Sequence, residues 1–228
     1  MTDHSRASLI AKPLHALADQ IRTATAPYER RAKQAGVLRE IHNKTVSLES
    51  YRLYLRNLYL VYTGLEKRLS PRSNSFKTIS PFLNKMVERS SSLHRDLTQI
   101  TGNKDWQNLP LLQSALAYRK HIDEIRSDNP IALLGHIYVR HLGAMRNSLS
   151  LEELLSKALK LTPESLNSCR FPAIINLAEF QKDYYGLFSA AKLTHQQRQS
   201  VIQTAIAACE HNILLAEDIT DYMQNREV

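Results

Sequence analysis

The stretch that decides the fold is Pro130–Leu149, PIALLGHIYVRHLGAMRNSL. Pro130 suits the first turn of a helix, and Asn129 before it can act as the cap. Apolar and aromatic side chains recur at three- and four-residue intervals, which is the period of one buried helical face. These positions are Ile131, Leu134, Ile137, Tyr138, His141, Leu142 and Met145. The stretch therefore predicts a buried central helix.

Two glycines, Gly135 and Gly143, lie inside this predicted helix. An interior glycine costs a helix about 1 kcal/mol relative to alanine. We therefore expect each glycine to mark a place where the helix backbone closely approaches something else.

Helical spacing of apolar residues continues on both sides of the central helix, and no long stretch alternates apolar and polar residues. At 228 residues the chain is long enough for one domain with a substantial core. We predict an all-α, single-domain multi-helix bundle over residues 13–225, preceded by a flexible N-terminal arm at residues 1–12.

Capping residues predict where several helices begin. Ser47 is expected to cap one helix, and Thr194 with Gln197 forms a capping box for the last. The other predicted helices run from Ser80-Pro81 to Thr101, from Pro110 to Arg126, and over Leu151–Leu161 behind a second capping box of Ser150 with Glu153.

Composition limits the partners and the compartment. The chain has no apolar run of about 18 residues and no secretory signal at its start, so we expect no membrane span. Its two cysteines, Cys169 and Cys209, are too few for a disulfide framework, which fits a cytoplasmic protein. The net charge of +8 suits an acidic protein partner, while the absence of a nucleic-acid-binding motif argues against nucleic acid.

Three segments together resemble the heme oxygenase family. They are H-x-Y-x-R-x-L-G at residues 136–143, LYLVYTGLE at residues 58–66, and LADQIRTATAPYERRAK at residues 17–33. The resemblance extends through FPAIINLAEFQKDYYGLF at residues 171–188 and covers roughly residues 10–225. It implies the heme-oxygenase-like fold, in which heme lies between the first helix and a glycine-rich central helix.

The resemblance also implies which positions would carry chemistry, and several hold other residues. Glu29 stands where the family has the histidine that binds the heme iron, with Tyr28 directly before it. Ala144 stands at the position of the family's distal aspartate, which orders water for proton delivery. Asn147 and Ser148 replace two glycines of the distal helix. The resemblance therefore predicts a member that lacks the proximal histidine and the distal aspartate.

The remaining pocket positions are partly retained. Arg22 and Tyr138 match a basic residue and a tyrosine that contact the heme propionates, whereas Gln181 and Tyr185 stand at two basic positions. The candidate cofactor-binding residues are Arg22, Tyr28, Glu29, Tyr138, Gly143 and Met145. We assign no catalytic residue, no metal site and no resident cofactor, although heme remains the cofactor that the resemblance suggests.

These observations favour a pseudoenzyme, a non-catalytic binding or regulatory protein whose ligand is a tetrapyrrole, another small apolar molecule or a protein partner. The alternative is a divergent heme oxygenase that converts heme to biliverdin, carbon monoxide and iron with Tyr28, Glu29 or a relocated histidine on the iron. A non-heme di-iron oxidase of similar architecture needs several inward carboxylates and histidines. Only His121 with Glu124 has that spacing, as a single pair.

Overall fold

A computed structural model describes residues 16–69, 77–102, 105–128 and 130–226, and these residues form helices and turns without a strand. The predicted all-α fold is confirmed. The α-helices are α1 (Leu17–Ala32), α2 (Gly36–Asn43), α3 (Leu48–Leu69), α4 (Ser90–Thr101), α5 (Gln113–Asp123), α6 (Leu133–Ile137), α7 (Gly143–Leu159), α8 (Leu177–Ala190) and α9 (His195–Gln224). The predicted N-terminal arm and the predicted cap at Asn129 lie outside the described residues.

The central helix is continuous but not uniform. A 3₁₀ turn, Pro130–Ala132, leads into α6, and a π-helical segment, Tyr138–Leu142, joins α6 to α7. A π segment has more residues per turn than an α-helix, so it rotates the faces on its two sides relative to each other, and such segments occur frequently at functional sites.

The predicted break at Ser150 is wrong, because α7 runs through it to Leu159. The Ser150 hydroxyl donates to the carbonyl of Asn147 (3.1 Å) inside the helix instead of capping a new one. Fully buried Leu155, one turn further on, packs in the core and favours continuation of the helix.

Two predicted helix starts are confirmed. The Ser47 hydroxyl accepts from the Ser50 amide (3.0 Å) at the start of α3, and Thr194 with Gln197 forms the capping box of α9.

The predicted helix from Ser80 is wrong in its first half, which forms two 3₁₀ turns at Ser80–Phe82 and Lys85–Val87. Helix α4 begins only at Ser90, where the Glu66 carboxylate accepts from the amides of Arg89 and Ser90 (2.7 and 3.0 Å). This carboxylate supplies the N-terminal hydrogen bonds from a distant helix, α3, so local sequence does not reveal it. Helix α5 is also shorter than the predicted 110–126.

The hydrophobic core has two parts that share α3 and α9. One part joins the start of α1, the central helix, α8 and the first half of α9, and the other joins α2, α4, the first half of α3 and the second half of α9. Helix α1 packs chiefly on α9 and then on α8. No helix in the described part of the chain is long and apolar enough to cross a membrane.

Candidate functional site

The α1 side of the candidate site is a row of polar side chains about three turns long. Arg22 Nη2 donates to Asp19 Oδ1 (2.9 Å), and Thr25 Oγ1 donates to Glu29 Oε1 (3.3 Å). Arg22 is exposed, whereas Glu29 and its neighbour Tyr28 are partly buried. The Tyr28 ring packs against the second part of the core. Of the two carboxylates in this row, Glu29 is the one with a hydrogen bond to the central helix.

An arginine of the central helix reaches across to that carboxylate. Arg146 Nη2 donates to Glu29 Oε1 at 3.0 Å, and the Arg146 guanidinium lies 5.6 Å from the centre of the Tyr138 ring. The side chains of Arg146 and Glu29 remain 30% and 42% exposed, so the pair lies near the surface where it links α1 to the central helix, a region called the cleft below. The structure thus brings together Glu29 and Tyr138, which the resemblance singles out, through Arg146.

Helix α8 contributes a second link to α1. The Tyr185 hydroxyl donates to Asp19 Oδ1 (3.0 Å), the same oxygen that Arg22 contacts, and the Tyr185 ring lies 6.4 Å from that of Tyr138. Exposed Lys182 lies on another face of α8. In this arrangement Arg22 already has a carboxylate partner, so less of its charge is available to an anionic ligand.

The central helix leaves space beside Gly143. A Cβ added there would meet no described atom within 4 Å. The prediction that the backbone at Gly143 closely approaches another part of the protein is therefore wrong. At Gly135 the same prediction is confirmed, because a Cβ would lie 2.5 Å from the Ala205 amide nitrogen. Met145 is buried in the core, while Ala144 is only partly buried. The open position is therefore one that the family resemblance assigns to the heme face.

A buried polar network lies behind this space, and the sequence did not reveal it as a unit. Arg140 is 5% exposed, its Nε donates to the Tyr118 hydroxyl (3.1 Å), and its guanidinium lies 4.8 Å from the Tyr118 ring centre. The Tyr62 hydroxyl donates to the Arg140 carbonyl (3.2 Å). Burial raises the pKa of Tyr54 to about 12 and also raises the pKa of Tyr62 and of Tyr118, so these phenols are neutral at physiological pH.

Three histidines from three helices meet next to Tyr118. The His121 ring lies 5.3 Å from the His136 ring and 5.2 Å from the His211 ring, and His211 stacks on Tyr118 at 4.9 Å. Burial, then the neighbouring His121 and Arg140, lowers the pKa of His211 to about 4, and the same causes lower the pKa of His136 well below its ordinary value. The His136 and His211 imidazoles are consequently neutral at pH 7.

The described residues offer no group of three or more His, Cys, Asp or Glu side chains placed to hold a metal ion. His141, one of the histidines that could in principle replace the missing ligand, contacts Tyr184, with 3.0 Å between Nδ1 and the hydroxyl. His15 lies outside the described residues. His141 is therefore engaged with Tyr184 in the core, and Glu29 stands at the position that the family gives to its proximal ligand.

A shallow surface groove of about 490 Å³ lies on the other side of α1, against α9. It is lined by Pro27, Arg30, Arg31, Gln34, Ala35, Ile213 and Glu217. The basic residues that the sequence concentrates at positions 30 and 31 thus face a surface and not the cleft.

Comparison with known proteins agrees with this architecture. The sequence profile of heme oxygenase matches residues 15–218. The chain is 29% identical to "Heme oxygenase" of Takifugu rubripes over 206 residues, which cover 89% of this chain and 74% of that protein. It is 26% identical to "Heme oxygenase" of Porphyra purpurea over 205 residues, covering 89% and 86% of the two chains. The structure of heme oxygenase-1 from Synechocystis in complex with heme has the same fold, with a TM-score of 0.86 at 21% identity, covering 92% of this chain and 95% of that one.

Proposed function

The chain belongs to the heme oxygenase family, and from that premise we propose that it binds a tetrapyrrole, or a similarly flat apolar molecule, without degrading it. The cleft between α1 and the central helix is the proposed binding site. One observation carries the proposal: Glu29, at the family's iron-binding position, accepts a hydrogen bond from Arg146 of the opposite helix.

The residues present do not fit a heme iron. The Glu29 carboxylate accepts hydrogen bonds from Thr25 and Arg146, and a carboxylate is not equivalent to the neutral imidazole that the family uses. The phenol of Tyr28, the other oxygen ligand near this position, belongs to a ring that packs in the second part of the core. We therefore derive no reaction step on an iron in this cleft.

The distal side supports the same proposal. The short, apolar Ala144 cannot order water for proton delivery, and Asn147 Nδ2 donates to the Gly143 carbonyl (2.8 Å) within the helix. The asparagine and Ser148 reduce the flexibility that glycines would give this segment. The distal side therefore lacks the groups that would make a bound ligand react.

The space beside Gly143 supports a flat ligand. Tyr138 of the central helix and the partly buried Tyr185 of α8, whose rings lie 6.4 Å apart, offer apolar faces for stacking. Arg146 spans the cleft on a partly exposed side chain, so a ligand can displace it at little cost. Because Glu29 already accepts two hydrogen bonds and the Tyr28 ring packs in the core, we expect affinity to depend on the macrocycle and not on its metal.

The test is a parallel titration of the purified protein with hemin and with metal-free protoporphyrin, followed by absorbance in the Soret region. We expect both to bind with dissociation constants within about threefold, because less than about 0.7 kcal/mol separates them when iron gains no ligand. Adding a reductant under oxygen should then leave the hemin spectrum without conversion to a bile pigment.

A tight, hemin-selective band that converts to a bile pigment would contradict the proposal and identify a divergent heme oxygenase. Absence of binding by either compound would also contradict it and would favour a partner on the basic surface near Arg30 and Arg31. Glu29→His should raise the affinity for hemin by tenfold or more and leave that for protoporphyrin unchanged. Glu29→Gln is the matched control, because it also removes the charge paired with Arg146 but adds no iron ligand.

A further inference from the structure

The three histidines beside Tyr118, called the histidine cluster below, join three helices through their rings. His121 of α5 lies 5.3 Å from His136 of α6 and 5.2 Å from His211 of α9. Both nitrogens of His136, Nε2 of His121 and Nδ1 of His211 are buried and have no hydrogen-bond partner among the described residues. The contact between the three helices at this point therefore depends on ring packing and not on hydrogen bonds between the rings.

The nearest titratable groups on the surrounding elements cannot balance a proton on this cluster. Arg140 of the π segment is a cation, and it lies close enough to lower the pKa of both His136 and His211. Tyr118 stacks on His211 and is neutral, and burial raises the pKa of the Cys209 thiol on α9 to about 12, so this thiol is neutral too. A protonated imidazole would therefore meet a second cation and neutral groups.

The carboxylates closest in sequence to the cluster are engaged or directed elsewhere. Glu210 precedes His211 but is exposed, and Glu124, also exposed, pairs with Lys120 at 3.7 Å. None of the ion pairs within the described ranges includes a histidine. Added protons at the cluster thus have no described counter-ion.

The seam between α5 and α9 has a different chemistry at each end. The two helices run antiparallel, and at the start of α5 the Asp218 carboxylate accepts from the Ser114 amide (3.1 Å) and hydroxyl (2.6 Å). Near the end of α5 the seam is closed by the rings of His121 and His211. Hydrogen bonds to a carboxylate therefore hold one end, and imidazole packing holds the other.

We propose that the histidine cluster is an acid-sensitive contact, which opens its own end of the α5–α9 seam when the imidazoles take up protons. His121 and His211 are partly exposed, so protons reach the cluster from solvent without unfolding of the chain. Charged rings repel one another and Arg140, and they are hydrated only when they separate. The contact is independent of the proposed tetrapyrrole, because it lies on α5, α6 and α9 and needs no ligand.

The pH range follows from the neutral closed state. In the closed seam the pKa of His211 is about 4, whereas an imidazole released to water takes up a proton near pH 6.5. Closure is therefore fully favoured above pH 6.5 and is lost progressively as the pH falls toward 4.

Hydrogen exchange of the full chain at pH 7 and pH 5, followed by mass spectrometry and corrected for intrinsic exchange rates, tests the proposal. Opening frays the helix turns that carry the cluster, so peptides over residues 118–123 and 205–211 should lose protection by about tenfold or more at pH 5. Peptides over residues 214–220, at the Asp218 end of the seam, should keep their protection.

The variant His136→Leu with His211→Gln leaves one imidazole in the cluster and should keep its protection at pH 5. The control, His42→Gln with His195→Gln, replaces two exposed histidines elsewhere and should open as the wild type does. The proposal is overturned if wild-type protein keeps its protection at both ends of the seam, if both ends lose it together, or if the two double variants behave alike. Should the cluster variant fail to fold at pH 7, the comparison of the two ends in wild-type protein still decides.

Discussion

The two glycines of the central helix have opposite environments. Gly135, before the π segment, presses against α9, where a Cβ would meet the Ala205 nitrogen at 2.5 Å and the Val201 oxygen at 2.6 Å. Gly143, after the π segment, faces open space. The same residue type thus joins the helix to the core on one side of the π segment and leaves room beside it on the other.

This difference divides the central helix into a sealed half and an open half. The sealed half, α6, is completely buried and fixes the position of the helix against α9. The open half starts at Gly143 and carries Arg146, the residue that spans the cleft to Glu29. A glycine in a helix is therefore evidence of close packing or of a ligand space, and only the surroundings decide which.

Placing the same alanine at both glycines should give the largest contrast. Gly135→Ala forces the backbones of α6 and α9 apart, and we expect it to lower the free energy of unfolding by about 3 kcal/mol or more. Gly143→Ala meets no clash and gains helix propensity, so it should raise the free energy of unfolding by up to about 1 kcal/mol. Urea unfolding of the two variants measures both effects, and equal effects would contradict the division into two halves.

Lowering the pH should have the next largest effect, through His141 of the π segment between the two halves. Burial, then the charge of Arg89, lowers the pKa of His141 to about 3, so this imidazole is neutral when folded and takes up a proton near pH 6.5 only when unfolded. Its contribution to stability is therefore complete above pH 6.5 and is lost as the pH falls toward 3, at about 1.4 kcal/mol per pH unit.

The variant His141→Gln keeps a hydrogen-bonding side chain opposite Tyr184 but does not titrate. Between pH 7 and pH 5 it should lose about 2 kcal/mol less stability than the wild type does. His195→Gln, at an exposed position of α9, is the control and should lose as much as the wild type. An unchanged pH dependence in His141→Gln would mean that this histidine does not titrate on unfolding.

The smallest effect is expected at the mouth of the open half. Glu29 and Arg146 are partly exposed, so a double-mutant cycle with Glu29→Gln and Arg146→Met should give a coupling energy below about 1 kcal/mol. Arg146→Met should nevertheless strengthen binding of protoporphyrin, because the ligand no longer has to displace an ion pair. A coupling energy of several kcal/mol would place the pair in a sealed environment and contradict the comparison.

The sequence predicts the regular parts of this molecule well and the junctions poorly. The three- and four-residue spacing around Leu134 and Leu142 is sufficient to predict the central helix, because burial of one face determines that period. Spacing cannot reveal the π segment, because apolar side chains keep their three- and four-residue intervals through Tyr138–Leu142. It also cannot show that α7 continues through Ser150, where packing decides the outcome over a local cap.

The candidate site divides in the same way. The resemblance locates Glu29, Tyr138 and Gly143, but it does not reveal that Glu29 pairs with Arg146, 117 residues away in the chain. Nor does it indicate that His121, His136 and His211 meet, because they come from three helices whose contacts depend on tertiary structure. The sequence therefore identifies candidate site positions, whereas the contacts between helices determine which side chains these positions bind.

The packing of α1 on α9 has a consequence for how the protein is made. Helix α1 leaves the ribosome early, yet the surface that buries Leu17 and Ile21 includes a helix translated almost at the end of the described chain. Contacts between such distant segments slow folding and leave apolar surface exposed during synthesis. The nascent chain should therefore need chaperone protection until α9 emerges. Only then can α1, which lies on one side of the cleft, pack in its final position.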